Sequence, residues 1–370
     1  MKRPDPNDIM RKEGAAGVIR LVDNAKPSHL IVSSRDFVSS YVPPCYAIEG
    51  VLQQRRLYSL TGRTGDGKTA VKLCFARHMA DGLPLAGLEV ERCRVLYMAG
   101  ENPDDVRARW IAMGEHMGFD PDTIDVHFAP GVFKVSEMLD AISDEVRALG
   151  GVGAVMVDTS AAYFEGDAEN DNVQAGNHAR MLRRLTSLLD GPCVIVGCHP
   201  TKVATNDMML PRGGGAFLAE VDGNLTCIAT DHLVEVHWAG KFRGPDFDPL
   251  SFEISSVTTE RLKDSKGRTV WTAIAHPIGS ARHAAIEDEA RSKQDEVLLV
   301  LDQSPDYSLA QIAEALGWHS TDKEGKQTPY KMKVKRACDG LKVAKLAVTD
   351  RGKWELTDRG KKVAKRMRSG

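Results

Sequence analysis

The sequence predicts an α/β protein with a mostly parallel sheet, followed by a small, mainly helical C-terminal unit. Short apolar runs at 57–61, 94–99, 125–128, 154–157 and 193–197 alternate with stretches of helical spacing near 69–79, 103–117, 136–149 and 172–189. Strands alternating with helices build a parallel sheet covered on both faces. A glycine-rich segment joins the first run directly to the first helix, and beyond residue 295 the pattern becomes three helices and a hairpin rich in lysine and arginine.

In chain order, residues 1–40 show little periodicity and read as an arm or linker. Residues 41–258 form the α/β domain. Its first helix is marked by Val71, Leu73, Cys74, Ala76 and Met79, and the segments 225–229 and 233–238 read as an antiparallel pair closing the sheet edge. The polar stretch 259–292 reads as a linker, and 293–370 as a second domain. There, 295–301 is a helix, Ser308 is a candidate N-cap for 309–316, 328–341 is a third helix, and 347–349 and 353–356 flank Asp350-Arg351-Gly352 as a hairpin. Three helices followed by a hairpin is the winged helix-turn-helix order. The sequence contains no internal repeat and no low-complexity tract.

Length and composition agree. A chain of 370 residues accommodates two or three domains, and 42% hydrophobic with 27% charged residues is ordinary globular usage. Disorder, collagen-like repeats and a disulfide scaffold are excluded. Seven cysteines with no C-x-x-C pair and no leader-like N-terminus suit reduced thiols in a cytoplasmic protein. No apolar run approaches a membrane span, so no membrane partner is expected. The net charge of −2 hides an asymmetry, because residues 326–370 hold 15 Lys or Arg against 4 Asp or Glu. A basic block on an acidic chain is the footprint of a polyanion partner.

The segment Gly62-Arg63-Thr64-Gly65-Asp66-Gly67-Lys68-Thr69 satisfies G-x-x-x-x-G-K-S/T between a strand and a helix. In that context the glycines let backbone N–H groups wrap phosphates at the helix N-terminus. Lys68 would reach the β and γ phosphates of ATP and Thr69 would hold Mg2+. Gly62, Thr64, Gly65, Asp66 and Gly67 complete the nucleotide-binding set. Such a site needs a carboxylate at the tip of a neighbouring strand, and Asp158, ending Val155-Met156-Val157, is the candidate partner of the metal. Glu101, which leaves the 94–99 run, is the candidate general base for the attacking water.

With these residues in place the chain resembles the RecA-like ATPases, most closely the plasmid RepA-type and DnaB-type hexameric DNA helicases, over residues 43–255. Pro43-Pro44 through Glu49-Gly50, Ala99-Gly100-Glu101, and Val157-Asp158-Thr159 followed by Gly166-Asp167 to Asn172 keep that family's order. The resemblance implies that His199, in Cys198-His199-Pro200-Thr201-Lys202, senses the γ-phosphate. It implies that Arg212, in Arg212-Gly-Gly-Gly-Ala216, and Lys241 and Arg243, in Lys241-Phe242-Arg243-Gly-Pro, belong to the catalytic set, with cations reaching a neighbouring subunit's nucleotide. It places the loop 203–211 on the central channel of a hexamer, against single-stranded DNA, although the loop is not notably basic. The C-terminal unit resembles winged-helix modules, with Lys331, Lys333, Lys335 and Arg336 above an apolar face of Met332, Val334, Ala337, Cys338 and Leu341 as duplex DNA contacts. A winged helix can instead dock a protein. The expected function is an ATP-dependent, ring-forming DNA motor, a replicative or mobile-element helicase. Its rivals are a DNA-binding ATPase switch that does not unwind, and a small-molecule kinase, which nothing resembling an acceptor lid supports.

Overall fold

The computed structural model describes residues 31–39, 41–230, 233–321, 325–350 and 352–369. The chain divides into two units, 1–45 and 46–370. In the first, helix α1 (Ser34–Ser39) is preceded by Ser33, whose hydroxyl accepts the Asp36 N–H at 3.1 Å. The rest of the arm expected over 1–40 lies outside the described residues.

The second unit opens with a two-stranded ribbon, β1 (Tyr46–Ile48) and β2 (Leu52–Gln53). There follow β3 (Leu57–Thr61), α2 (Lys68–Asp81), β4 (Val95–Ala99), α3 (Pro103–Met117), β5 (Val126–Pro130), α4 (Val135–Leu149) and β6 (Ala154–Asp158). Then come α5 (Asn172–Arg183), β7 (Cys193–Cys198), α6 (Gly214–Glu220), β8 (Gly223–Thr230), β9 (Leu233–Phe242), β10 (Leu250–Val257) and β11 (Thr272–Ile278). The nine-stranded sheet runs β11-β10-β9-β8-β3-β7-β6-β4-β5. From β8 to β5 every pairing is parallel, whereas β9, β10 and β11 are antiparallel to their neighbours.

Every residue of β3, β4, β6 and β7 is buried, the condition that unbroken apolar runs satisfy in a sheet covered on both faces. Alternation then sorts the side chains. Leu60, Tyr97, Met156 and Ile195 join Phe75 and Met113 of α2 and α3 on one face. Leu57, Val155, Val157 and Val196 join Val146, Leu182 and Phe217 of α4, α5 and α6 on the other. Strand β7 lies between β3, which leads into the glycine-rich loop, and β6, which ends at Asp158. Both strand ends therefore open on one rim of the sheet.

The linker reading of 259–292 is corrected. Strand β11 pairs with β10 from Ser251↔Ile278 to Val257↔Thr272, and helix α7 (Ser280–Gln303) is continuous for 24 residues. The polar loop before β11 and the charged surface of α7 conceal them, since a solvated helix carries only a narrow apolar stripe. Pro277 fits because β11 is the edge strand.

The end of α7 begins a separate core. Val297, Leu298 and Leu301 pack with Ile312, Trp318, Val334, Cys338, Leu341 and Trp354. The elements are α8 (Leu309–Ala315), β12 (His319–Thr321), β13 (Gln327–Pro329), α9 (Lys331–Val343), β14 (Ala347–Asp350), β15 (Lys353–Leu356) and α10 (Asp358–Ser369). Ser308 caps α8 in a capping box with Gln311. The hairpin expected around Asp350-Arg351-Gly352 pairs Ala347↔Leu356 through Asp350↔Lys353, its turn residue 351 lying outside the described set. The apolar face of α9 keeps Val334, Ala337, Cys338 and Leu341 but not Met332, which is exposed.

Phe252 of β10 is fully buried and meets Phe75 of α2 edge-on, centroids 5.9 Å apart. Phe252→Ala should destabilise the α/β domain by about 3–5 kcal/mol in urea unfolding. An unchanged midpoint would mean that this strand is not part of the folded sheet.

Candidate nucleotide-binding site

The loop 62–67 turns sharply between β3 and α2. A Cβ on Gly62 would lie 2.7 Å from the Cys227 carbonyl, and Gly67 sits at φ 81°; both positions need glycine. Asp66 accepts the Arg63 N–H at 2.7 Å and closes the turn, while Thr64 and Gly65 are exposed at its tip. Lys68 donates to the carbonyls of Gly62 at 2.7 Å and Arg63 at 2.9 Å. Its ammonium thus rests on the loop that would receive phosphate. Burial, then the neighbouring Lys72, holds the Lys68 pKa below the usual lysine range, the signature of a cation short of negative charge.

Asp158 lies beneath. Its carboxylate takes a salt bridge from Lys72 and the Tyr97 hydroxyl at 2.7 Å, with Thr69 close enough to lower its pKa. Burial raises its pKa, yet Lys72, Tyr97 and Thr69 together pull it below the ordinary value. Thr69 and Asp158, the residues expected to hold the metal, are therefore neighbours. Two hard oxygens fit Mg2+, which favours few protein ligands and keeps waters. When bound, the ion would neutralise charge on the β and γ phosphates.

Glu101 and His199 also meet. The Gly100 and Glu101 N–H groups donate to the Asp158 carbonyl at 2.8 and 3.0 Å, so the turn carrying Glu101 is tied to the end of β6. The Glu101 carboxylate is more than half exposed, 4.0 Å from His199 Nε2. Burial and then Lys68 lower the His199 pKa, against Glu101, which raises it. Arg212 donates its N–H to the His199 carbonyl at 2.8 Å and its guanidinium to Glu169 at 2.6 Å.

Between His199 and Arg212 the chain makes an excursion closed by a Pro200↔Pro211 bridge. Asn224 holds its base, donating to the Met209 carbonyl at 3.0 Å. Arg63 of the glycine-rich loop reaches across to Asn206 Oδ1 at 2.7 Å and the Ala204 carbonyl at 3.2 Å. Val203 and Met208 are exposed and Met209 is buried, so only part of the apolar tip projects.

Lys241 and Arg243 are elsewhere. They fall where β9 pairs Phe242 with Gly223, and Gly223 pairs with Tyr58 near the start of β3. That is the sheet's opposite rim, about 13 Å from the glycine-rich loop at roughly 3.3 Å per residue, so neither serves the Lys68 site of its own chain. In the terminal unit, Lys331 and Lys335 are exposed on α9, Lys335 lying 3.8 Å from Asp339. Lys333 lies over the Trp318 ring at 4.1 Å, and Arg336 is half-buried.

Sequence reasoning missed Lys72, Tyr97, Arg63 and His178. A lysine inside Val71-Lys72-Leu73-Cys74-Phe75 was a legible signal, because a charge amid an apolar helix needs a buried partner. His178, pushed down to about 4 by burial, meets Ser160 Oγ at 3.0 Å.

A glycine-rich loop and helix N-terminus, with an acid two strands away on a parallel sheet, define a P-loop ATPase. Residues 23–205 match the family model of an AAA domain, which supports that reading. No curated protein matches the chain. Among the described residues no helix is long and apolar enough to cross a membrane.

Lys68→Ala should lower ATP hydrolysis by roughly a hundredfold or more, the scale for removing a charge stabiliser, while the melting temperature holds. Glu101→Gln should bind ATP and slow turnover by about 10²–10⁴. Undiminished turnover in purified protein would strike that residue from the site.

Proposed function

We propose that the protein is a ring-forming, ATP-driven DNA motor of the RecA-like, RepA/DnaB kind, a helicase whose terminal unit is a winged helix on duplex DNA. The observation that carries the reading is the continuity between the glycine-rich loop and the 201–211 excursion, joined by Arg63 and leaving β7 beside His199. A projecting loop wired to the phosphate site is what a nucleotide-driven grip on a strand requires.

In this reading Lys68 and Thr69 bind the triphosphate with Mg2+, Asp158 orders the metal's water shell, and Glu101 accepts the proton of the attacking water. His199, half-buried at the end of β7, reports the γ-phosphate to the excursion. Arg212 belongs to the same rim and is balanced by Glu169 until the site fills. Lys241 and Arg243, remote from their own Lys68, act on the nucleotide of the next subunit, so hydrolysis waits on ring closure. On the terminal unit, Lys331, Lys333, Lys335 and Arg336 meet duplex phosphates or base edges.

One observation favours a second reading, a DNA-bound ATPase switch that assembles without unwinding. Beyond Lys202 at its base, the excursion carries Asp207 and no further lysine or arginine over 203–211, whereas strand-tracking grooves are positively charged. Displacement of a labelled strand from a forked substrate separates the two.

Mixing Lys68→Ala with Arg243→Ala subunits should restore hydrolysis at hybrid interfaces, and activity per subunit should rise with protein concentration. Sedimentation as a monomer with nucleotide and DNA, at full activity, would end the shared-site reading.

Lys331→Ala with Lys335→Ala should weaken duplex binding and flatten the salt dependence of log affinity, by about 0.9 for each DNA phosphate that is no longer neutralised. Unchanged affinity and slope between about 50 and 200 mM salt would move the terminal unit to protein docking.

A further inference from the structure

Most of the charge of the terminal unit lies away from the four cations assigned on α9. Of those, Lys333 lies over the Trp318 ring, Lys335 is 3.8 Å from Asp339 and Arg336 is half-buried. The last helix, α10, carries six Lys or Arg against the single Asp358. Arg359, Lys361, Lys362 and Arg366 are exposed, and none forms an ion pair among the described residues. Lys342 and Lys345, exposed where α9 ends, extend the same surface. The Thr357 hydroxyl, at the start of α10, donates to the Lys345 carbonyl at 2.9 Å.

This helix is fixed in place. Ala364 is fully buried and Val363 packs beside it in the terminal core. A Cβ on Gly360 would run into the Leu346 carbonyl, so the first turn sits hard against the segment that leaves α9. Near the other end Arg368 pairs with Asp302 of α7. The sequence also stacks like charges, because Lys361 and Lys365, and Lys362 and Arg366, are four residues apart, and cations at that spacing repel. A polyanion relieves the repulsion and releases its own counterions.

Two features select the partner. Ala364 and Val363 turn into the core, and Met367 is the apolar side chain of α10 left exposed, too little to enter a bilayer. Neither 342–345 nor 358–368 contains an aromatic residue, whereas a grip on single strands uses aromatic platforms for the bases. What remains is a fixed array of cations suited to a row of backbone phosphates.

We propose that α10, together with Lys342 and Lys345, is a phosphate-backbone surface that holds duplex DNA without reading its sequence, separate from the α9 contact. The choice of DNA as the polyanion rests on the reading above; the surface itself uses neither Lys331 nor Lys335.

The test is full-length protein carrying Lys361→Ala, Lys362→Ala and Arg366→Ala, titrated with a labelled duplex between about 50 and 200 mM salt. The slope of log affinity against log salt should flatten by about 2.7, at about 0.9 for each of three phosphates no longer neutralised, and equally on two unrelated sequences. The melting temperature should hold. Lys361→Arg with Lys362→Arg and Arg366→Lys, which keeps every charge, should restore the slope. An unchanged slope, or a loss that depends on sequence, overturns the surface. So does a larger loss for a single strand, or for phosphatidylserine vesicles, than for the duplex.

The Lys331→Ala, Lys335→Ala protein, titrated alongside, separates this surface from the α9 contact. A loss confined to the α10 variant supports the surface and removes the α9 contact. A loss confined to the α9 variant overturns the surface and leaves the winged-helix reading intact.

Discussion

The buried ion pair between Lys72 and Asp158 sets the geometry on which the nucleotide site depends. Lys72 lies one helical turn beyond Lys68 on α2, fully buried, and also donates to the Val157 carbonyl at 3.1 Å. It therefore clamps the helix that begins at the glycine-rich loop to the strand that presents the acid. A Cβ on Gly197 would lie 2.4 Å from its ammonium, so the intervening strand β7 must be bare at that level. Breaking such a pair leaves one charge buried and unmatched, which costs about 3–5 kcal/mol. Because Asp158 has a depressed pKa in the folded chain, its contribution is present above the ordinary carboxylate range and is lost as pH falls through the folded value.

From that clamp the functional groups sort to two rims of one sheet. Parallel strands all point their C-terminal ends the same way, so Thr61, Ala99, Asp158 and Cys198 finish together and ligands gather in the crevice beyond them. Lys68, Thr69, Asp158, Glu101, His199 and Arg212 follow directly. The antiparallel return of β9 carries Lys241 and Arg243 back to the starting rim, where β3 and β8 begin and Asp222 collects arginines from three elements.

The parallel strands and the helix after the glycine-rich loop were readable in the sequence because each is an unbroken pattern: five buried residues in a row, or apolar residues at helical spacing. The same holds for Lys68, Thr69 and Asp158, whose meaning lies in spacing and in position at a strand end. What escaped was set by tertiary contact. Strand β11 mixes small and polar residues because it is an edge, and α7 looked like a linker because water covers most of it. Arg63 meets Asn206, 143 positions later, and Arg56, Arg183 and Arg243 meet only through Asp222. Lys72 was the exception, visible as a charge in an apolar run and overlooked beside the stronger motif.

The corrected linker changes how the two domains can communicate. A flexible tether transmits nothing but proximity, whereas α7 is one helix of 24 residues anchored at both ends. At its start Arg282 pairs with Glu253 of β10 at 3.2 Å and His283 with Glu235 of β9, also at 3.2 Å. At its end Val297, Leu298 and Leu301 are buried in the core of the terminal unit. Strands β9 and β10 flank the glycine-rich loop, since a Cβ on Gly67 would touch Val234 and Ile254. The strands that touch the loop are thus the same strands that carry the helix. Packed structure therefore runs from the glycine-rich loop through β9, β10 and α7 into the core of the terminal unit.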